Sequence, residues 1–452
     1  MIKILFLAYY FPPVGGSGVQ RALKFVQYLP GEGFLPIVVA GPTAPQDHWA
    51  PQDASLSSLI PREVEVHRVS NPAPDVESGL RRRMGRLLQL NTSFSDWWIH
   101  SSVELGAKVG SSARLIFSTM SPFESGEAAR QLAKRLNIPW VADLRDPWAL
   151  DDIQIYPSAV HRRIEMSRME DVLSSASLII MNTSAAKTAL LASFPSLASK
   201  SVISITNGFD REDFTGQVRQ REDSKFRIVH SGGLFTDAGL QLRRRRIYRM
   251  LGGVEKGVDI LTRSPDVLLR ALDKWCEERP QVRKDVEVVF AGKATTEDKD
   301  IVKSSSVSGL ITFIGYLSHS DSLALIRTAD LLFLPMHNLP LGKSCRSVPG
   351  KTFEYMASGR PILAAVPDGD ARDFMTKCGT GLVCRPDDVS GMANILDSVY
   401  SSWKNGSTAV SPKADYLEQF ERRNLTHALA SALDRVAGTE KPFAEQPVLT
   451  HF

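Results

Sequence analysis

Short apolar runs alternate along the chain with segments whose apolar residues recur every three to four positions. Runs typical of buried strands lie at 2–7, 37–40, 64–69, 115–118, 140–143, 178–181 and 202–205, and a second set lies at 226–230, 286–291, 311–314, 331–334, 361–365 and 381–384. This alternation predicts parallel βαβ units. Two such sets predict an α/β protein with two Rossmann-like domains, whose ligands bind at the carboxyl ends of the strands and between the domains.

The intervening amphipathic segments predict helices at 18–29, 124–136, 160–174, 265–276, 320–328 and 389–403. We place the join between domains at the turn-forming pair Asn207-Gly208. The predicted units are an N-terminal domain (1–205), a C-terminal domain (206–412), a last helix (413–437) and a flexible tail (438–452).

Composition narrows the functional classes. A chain of 452 residues with 43% hydrophobic and 23% charged residues is too long for one core and typical of a globular protein. A net charge of +4 is too small to indicate a nucleic-acid partner. The four cysteines lack metal-ligand spacing, which predicts no metal site and a reducing, cytoplasmic compartment. The apolar opening is too short to span a bilayer and has no cleavage site for a signal peptide.

The most informative stretch is residues 349–365, PGKTFEYMASGRPILAA, which follows the apolar run 330–335. Gly350 is predicted to open a helix behind a strand, where free N–H groups and the helix dipole favour an anion such as a diphosphate. Glu354 lies one turn in, where a carboxylate can accept two sugar hydroxyls. The alternative is an ordinary strand–helix–strand unit with Glu354 facing solvent.

This stretch resembles the nucleotide-sugar motif of retaining GT-B glycosyltransferases, specifically glycosyltransferase family 4. The resemblance implies a GT-B fold, with two domains facing each other across a cleft and the C-terminal helix crossing back to the first. It also implies that Glu354 binds the donor ribose and that the backbone at Gly350, Lys351 and Thr352 holds the diphosphate. Many relatives have a glutamate near the transferred sugar eight positions before Glu354, whereas this chain has Arg346.

A glycine-rich turn follows the first strand, in YYFPPVGGSG at 9–18. Glycines let the backbone approach a bulky anionic ligand, although a purely structural turn is the alternative. The spacing does not fit a dinucleotide fingerprint. Family 4 members carry a similar P-x-x-G-G loop that faces the donor phosphates and the acceptor, and the resemblance gives that role to Gly15 and Gly16.

Charged residues end the strand at 140–143, in VADLRDPW. Many relatives have a histidine at the position of Arg145 that contacts the transferred sugar, and a subset have A-D-x-R-D-P-W as here. We expect Asp143, Arg145 and Asp146 to line the acceptor side of the cleft and to include the catalytic groups. The alternative is an Arg145–Asp146 ion pair that braces the loop.

The strand at 226–230 leads into a glycine loop, and the resemblance places Gly233 near the donor. An apparent insertion follows at 236–262, with four arginines at 243–246 that fit a solvated loop. Two alignments compete for the cation that neutralises the leaving diphosphate, Lys256 in EKGVDIL or Arg263 before Ser264-Pro265. The resemblance also places Tyr316 and Leu317 beside the nucleobase.

A basic, aromatic stretch could rest on anionic lipid beside a lipid-linked acceptor. It comprises Arg81, Arg82, Arg83, Arg86, Leu87, Leu88, Trp97 and Trp98. The alternative is an exposed loop with one buried tryptophan.

The leading hypothesis is a cytoplasmic glycosyltransferase, able to work at the inner face of the plasma membrane. It would move a sugar from a nucleotide-sugar donor to a sugar or lipid-linked acceptor with retention, without metal or other cofactor, in synthesis of bacterial surface polysaccharide or glycoconjugate. The alternatives are an epimerase or phosphorylase of the same fold, and a catalytically degenerate nucleotide-binding protein.

Overall fold

The computed structural model describes residues 1–43, 51–69, 92–218, 221–244 and 246–438, and its framework is two parallel sheets. The seven strands of the first sheet are β1 (Ile2–Ala8), β2 (Phe34–Ala40), β3 (Glu65–Arg68), β4 (Leu115–Thr119), β5 (Trp140–Leu144), β6 (Leu178–Met181) and β7 (Ser201–Ser204). Their order is β3-β2-β1-β4-β5-β6-β7. The described helices around this sheet are α1 (Ser17–Tyr28), α2 (Ser93–Val109), α3 (Glu124–Leu136), α4 (Ala159–Ser174) and α5 (Ser184–Ser193).

The six strands of the second sheet are β8 (Phe226–Ser231), β9 (Val286–Ala291), β10 (Ile311–Gly315), β11 (Leu331–Pro335), β12 (Ile362–Ala365) and β13 (Gly381–Cys384). Their order is β10-β9-β8-β11-β12-β13. The described helices of this half are α6 (Thr236–Arg244), α7 (Arg246–Met250), α8 (Asp266–Glu278), α9 (Thr296–Lys303), α10 (His319–Arg327), α11 (Lys351–Ala357), α12 (Asp370–Cys378) and α13 (Val389–Lys404).

The predicted α/β class with two Rossmann-like halves is confirmed. Every apolar run that predicted a strand forms one. The central strands are covered on both faces and so need continuous apolar sequence, whereas the edge strands β3 and β10 are partly exposed. In each sheet the strand order reverses beside the first strand of the set, at β1–β4 and at β8–β11. Such reversal points open a crevice beyond the strand ends where ligands bind.

The predicted last helix is instead two helices, α14 (Ala414–Leu417) and α15 (Arg422–Ala437), separated by the turn Glu418–Phe420. Glu421 starts α15 because its side chain accepts hydrogen bonds from the N–H groups of Arg423 and Asn424.

The chain crosses back to the first domain at this break. The N–H of Phe209 donates to the carbonyl of Phe420 at 3.1 Å. Leu429 and Leu433 of α15 are then buried in the core beneath the first sheet, which confirms the predicted crossover.

The insertion at 236–262 is largely helical. Arg243 and Arg244 are exposed on the last turn of α6, so the prediction of a loop for the arginine run was wrong there, and Arg245 lies outside the described residues. Beyond α7 the chain forms an antiparallel bridge between Val254 and Ile155 of the first domain.

Most of the predicted basic, aromatic stretch (81–88) lies outside the described residues. Trp97 and Trp98 lie on α2, and Trp98 is fully buried with its indole N–H donating to Ser125 Oγ at 3.0 Å. Among the described helices, none is both long and apolar enough to cross a bilayer.

Docking of α15 makes a measurable contribution to stability. We expect Leu433→Ala to lower the free energy of unfolding by about 2–5 kcal/mol, because it leaves a cavity at a fully buried site. Ser431→Ala, an exposed change on the same helix, should change it by less than about 0.5 kcal/mol. Urea denaturation compares the two variants, and equal losses would contradict this packing.

Candidate functional site

The glycine loop after β1 is covered by a side chain from the other half of the molecule. The Tyr316 hydroxyl accepts a hydrogen bond from the Gly16 N–H. A Cβ added at Gly15 would lie 2.9 Å from the Tyr316 hydroxyl oxygen, so only glycine leaves room for this approach. Burial and the nearby Asp53 carboxylate raise the pKa of Tyr316, which keeps the phenol protonated. The glycine loop of the first domain and Tyr316 of the second therefore contact each other across the cleft.

Asp143 does not face the cleft. It is fully buried, and its carboxylate forms a two-pronged ion pair with Arg21 of α1, with Nη2–Oδ1 at 2.6 Å and Nε–Oδ2 at 3.0 Å. Arg21 also donates to the carbonyl of Thr206, directly before the proposed join. These contacts favour a structural role for Asp143, in place of the catalytic role expected from its position at a strand end.

Arg145 and Asp146 are more accessible, with side chains 19% and 50% exposed. Their closest charged atoms are 3.5 Å apart, so they form the loop ion pair that was the structural alternative. Arg145 also donates to the carbonyl of Gly18 at the start of α1. This places the guanidinium beside the glycine loop, while half of the Asp146 side chain still contacts solvent.

Lys351 points its amine back towards the end of β8. Its Nζ lies 3.2 Å from His230 Nε2, and His230 Nδ1 is 3.0 Å from the carbonyl oxygen of Phe333. Because the carbonyl can only accept, His230 donates from Nδ1 and offers Nε2 to the amine. Gly232 has φ 108°, and a Cβ there would lie 2.7 Å from Nζ. The amine therefore lies directly under the β8 loop.

Two partly buried cations interact at this point. Burial, followed by the charge of Arg263, lowers the pKa of Lys351 to about 7. Burial also lowers the pKa of the Arg263 guanidinium, which stacks on Phe235 with its carbon 3.9 Å from the ring centroid. Lys256, the competing candidate, is exposed in a turn. The arrangement is a cationic centre suited to a diphosphate, and Arg263 is the cation that the fold brings to it.

The predicted helix after Gly350 is present as α11, with Gly350 as its N-cap. Thr352 is fully buried, and its N–H already donates to the carbonyl of Pro349 at 3.0 Å. Glu354 is 17% exposed, and its Oε1 lies 3.7 Å from Nη2 of Arg422 on α15. Its charge also acts on Lys351, so carboxylate and amine belong to one site.

The remaining predicted donor residues occupy loops at the carboxyl ends of the second sheet. Gly233 is exposed in the loop after β8, and Leu317 is half-buried in the loop after β10. These loops leave the same edge of the second sheet as the loop after β11, which leads to Lys351.

Arg346 stands where many relatives have a glutamate, and its contacts are with the first domain. Its Nη1 donates to the carbonyl of Leu150 at 2.8 Å, and its N–H donates to Asp152 Oδ2 at 3.1 Å. Its carbonyl accepts from Thr183 Oγ1 at 3.0 Å. At this position the chain therefore forms a bridge between the domains rather than presenting a carboxylate.

A further polar cluster lies beside Arg263. Asp152, His337 and Cys345 are all buried, and their donor atoms lie within 4.8 Å of one another. The neighbouring carboxyl of Asp151 has its pKa raised to about 7, mainly by burial and next by the charge of Asp146. Cysteine spacing gave no sign of this group, since its members are one cysteine, one histidine and one aspartate, and Asp152 comes from a different loop from the one between β11 and α11 that carries His337 and Cys345. The only available signal was the position of His337, two residues after β11.

The comparisons with known proteins agree with this architecture. Residues 261–402, which include Arg263, Lys351 and Glu354, match the family model described as Glycosyl transferases group 1. Glycogen synthase of Mycobacterium tuberculosis is 26% identical over 171 residues, covering 36% of this chain and 39% of that protein. The chain thus spans about two fifths of the length of the curated relatives that it matches.

Solved structures cover nearly all of the chain. Anabaena HepE in complex with UDP-glucose has a TM-score of 0.59 at 17% identity, covering 96% of this chain and 100% of that one. Sucrose-phosphate synthase of Thermosynechococcus elongatus has a TM-score of 0.66 at 14% identity, covering 97% and 100%. These likenesses establish the GT-B fold.

Replacing Asp143, at the end of β5, and Asp146, in the loop that follows, should have different effects on stability. Asp143→Asn leaves Arg21 buried without a counter-charge, and we expect a loss of about 3–5 kcal/mol in the free energy of unfolding. Asp146→Asn breaks a half-exposed pair and should cost about 0–1 kcal/mol. Urea denaturation of the two isosteric variants is the measurement. Similar losses in both would show that Asp143 is not the buried anchor.

Proposed function

We propose that the protein is a glycosyltransferase that moves a sugar from a nucleotide-sugar donor to a sugar or lipid-linked acceptor with retention of anomeric configuration. The observation that carries this proposal is the cationic centre of Lys351 and Arg263. Both side chains are partly buried and their charges repel each other, so an anion between them would be favourable, and a nucleotide diphosphate would supply one. The group 1 match over residues 261–402 includes both cations, and HepE was solved with UDP-glucose.

The roles on the donor side follow from position. Arg263 and Lys351 would neutralise the diphosphate as it leaves, together with the backbone N–H groups that follow Gly350. Glu354 would accept the two ribose hydroxyls, since its carboxylate is partly exposed beside Lys351. Tyr316 and Leu317 would lie beside the nucleobase. No magnesium or manganese is required in this scheme, because the cations perform the charge neutralisation that a metal would otherwise perform.

The first domain would hold the acceptor. A ligand would reach the backbone of Gly15 and Gly16 once Tyr316, which covers this loop, moves away. Arg145 stands beside the loop, with Asp146 exposed next to it. Catalysis would then take place with the two walls closed on the substrates. We further propose a cytoplasmic enzyme of bacterial surface polysaccharide or glycoconjugate synthesis, working at the inner face of the plasma membrane.

Product analysis tests the proposal. Thermal stability in UDP, GDP, dTDP and ADP identifies the base, since a ligand at a hundred times its dissociation constant adds about 2.7 kcal/mol. The corresponding nucleotide-sugar is then incubated with candidate acceptors, without magnesium or manganese. We expect release of the nucleoside diphosphate only with acceptor, and a product with retained configuration by NMR.

The other outcomes identify the competing functions. Isomerisation of the donor without acceptor indicates an epimerase, and sugar-phosphate formation with inorganic phosphate indicates a phosphorylase. Tight nucleotide binding with no turnover over the acceptor panel indicates the degenerate binding protein.

Glu354 provides a direct test of the ribose site. Glu354→Gln preserves shape but replaces charge-assisted hydrogen bonds worth about 1.5–3 kcal/mol, so nucleoside diphosphate affinity should fall about 10- to 150-fold. Glu277→Gln, an exposed change on α8, should leave affinity unchanged. Isothermal titration calorimetry measures both. Wild-type affinity in a folded Glu354→Gln protein would remove Glu354 from the site.

Donor binding should also depend on pH through Lys351. The free amine has a pKa of about 7, and a bound diphosphate raises it. Affinity is therefore fully present below pH 7 and falls as pH rises, by about tenfold per pH unit until the pKa of the complex is reached. Calorimetry at pH 7, 8 and 9 should show this fall in the wild type. Lys351→Met should bind more weakly at pH 7 with a flat profile, and a slope equal to that of the wild type would assign the titration elsewhere.

A further inference from the structure

Three buried side chains meet where a loop of the first domain touches the second. Asp152 comes from the loop after β5, His337 follows β11, and Cys345 lies on the loop that leads to α11. We propose that they form a binding site for one thiophilic divalent cation, with zinc as the best-fitting ion, that fastens these loops together. The inference is independent of the proposed transfer reaction and concerns a different set of atoms from the diphosphate site.

The distances fit such an ion. All three donor atoms lie within 4.8 Å of one another, and His337 Nε2 is 3.5 Å from Cys345 Sγ. A tetrahedral zinc with bonds of about 2.0–2.3 Å separates its ligands by roughly 3.3–3.8 Å. Imidazole and thiolate already have that separation, and Asp152 would close the set by a small side-chain movement. Ser347 Oγ, 3.7 Å from Cys345 Sγ, borders the fourth position.

An unsatisfied polar atom points to a missing occupant. Among the described residues, Asp152 Oδ1 has no hydrogen-bond partner although the side chain is 0% exposed. His337 Nδ1 also has none, but it lies on the other side of the ring from Nε2 and is not explained by this ion. Buried polar groups are normally paired, and an exception indicates an ion or a water molecule.

Two cations border the cluster. Arg346 Nη1 lies 3.5 Å from Asp152 Oδ1, and the charge of Arg263 acts on His337. Because these cations oppose a further positive charge, the ion depends on the Asp152 carboxylate and on deprotonation of Cys345.

Ion binding would be coupled to deprotonation of the cysteine. The Cys345 thiol loses its proton to solvent as the sulfur–metal bond forms, and the carboxylate and thiolate together neutralise the dication. The mixture of thiolate, imidazole and carboxylate selects zinc, or cobalt as its substitute, over magnesium and calcium. A water molecule in the same space is the alternative, and it requires no metal.

The experiment uses the full-length chain, purified without a metal-affinity tag from medium supplemented with zinc. Metal content per chain is measured by mass spectrometry for the wild type, Cys345→Ser, Asp152→Asn and Cys378→Ser. Cys378 is a matched control because it is also fully buried but lies outside the cluster. Circular dichroism and thermal melting check that each variant is folded. Replacement of zinc by cobalt adds a spectroscopic readout, the thiolate-to-cobalt charge-transfer band.

We expect close to one zinc per chain in the wild type and in Cys378→Ser, and at least a tenfold loss in Cys345→Ser and Asp152→Asn. The cobalt form of the wild type should show the charge-transfer band, and Cys345→Ser should lack it. A wild type with no bound metal after zinc supplementation would overturn the proposal in favour of water. Equal zinc content in the wild type and folded Cys345→Ser would overturn it by placing the ion elsewhere.

Discussion

Asp210 holds a buried negative charge at the point where the chain passes from one sheet to the other and where it later returns. Lys24 Nζ lies 2.9 Å and Arg422 Nη1 2.6 Å from Oδ2, and the Tyr28 hydroxyl donates to Oδ1 at 2.7 Å. Burial opposes the charged form, but Arg422 and Lys24 outweigh it and lower the pKa of Asp210 to about 2. One carboxylate thus connects α1, the link between the domains and α15. Because an isolated buried charge is costly, this geometry is kept only while all its partners are present.

Arg422 links Asp210 to the candidate site. Arg422 holds Asp210 with one nitrogen and lies 3.7 Å from Glu354 with the other. Glu354 in turn acts on Lys351, which shares the cationic centre with Arg263. A ligand that binds Glu354 must therefore act on a network that includes the link and the crossover helix. If Glu354 binds the donor as proposed, these adjacent charges would connect donor binding to the relative position of the domains.

Sequence predicted the sheets well because a strand covered on both faces needs a continuous apolar run, and such runs are local. It missed helices such as α5 and α9, which are short and have weaker apolar patterns. The capping box of α9, formed by Thr295 and Asp298, was a readable signal.

In the candidate site, too, the local sequence patterns were predicted and the contacts between distant residues were not. The loops after β1, β8 and β11 were predicted from glycine spacing and from resemblance. The partner of Asp143 was not, because Arg21 lies 122 positions away along the chain. Lys351 was predicted to contribute its backbone, whereas the structure shows its amine turned under Gly232 towards His230. Side-chain direction and long-range pairing depend on tertiary packing, which a single sequence does not reveal.

The contacts that cross the cleft differ in kind from those that dock α15. Across the cleft, polar contacts such as Thr183 with the carbonyl of Arg346, and Arg162 with Glu255 at 2.6 Å, accompany the packing of the partly buried Ile153 and Ile155 against the second core. Each such polar contact is worth about 0.5–1.5 kcal/mol net, because water replaces it when the walls separate. Leucines of α15, by contrast, are buried in the first core. Each polar contact therefore contributes less than a buried leucine, so the crossover helix is held more firmly per contact than the facing loops. An ion held by Asp152, His337 and Cys345 would strengthen the contact between those loops, since separating them would break a metal–ligand bond.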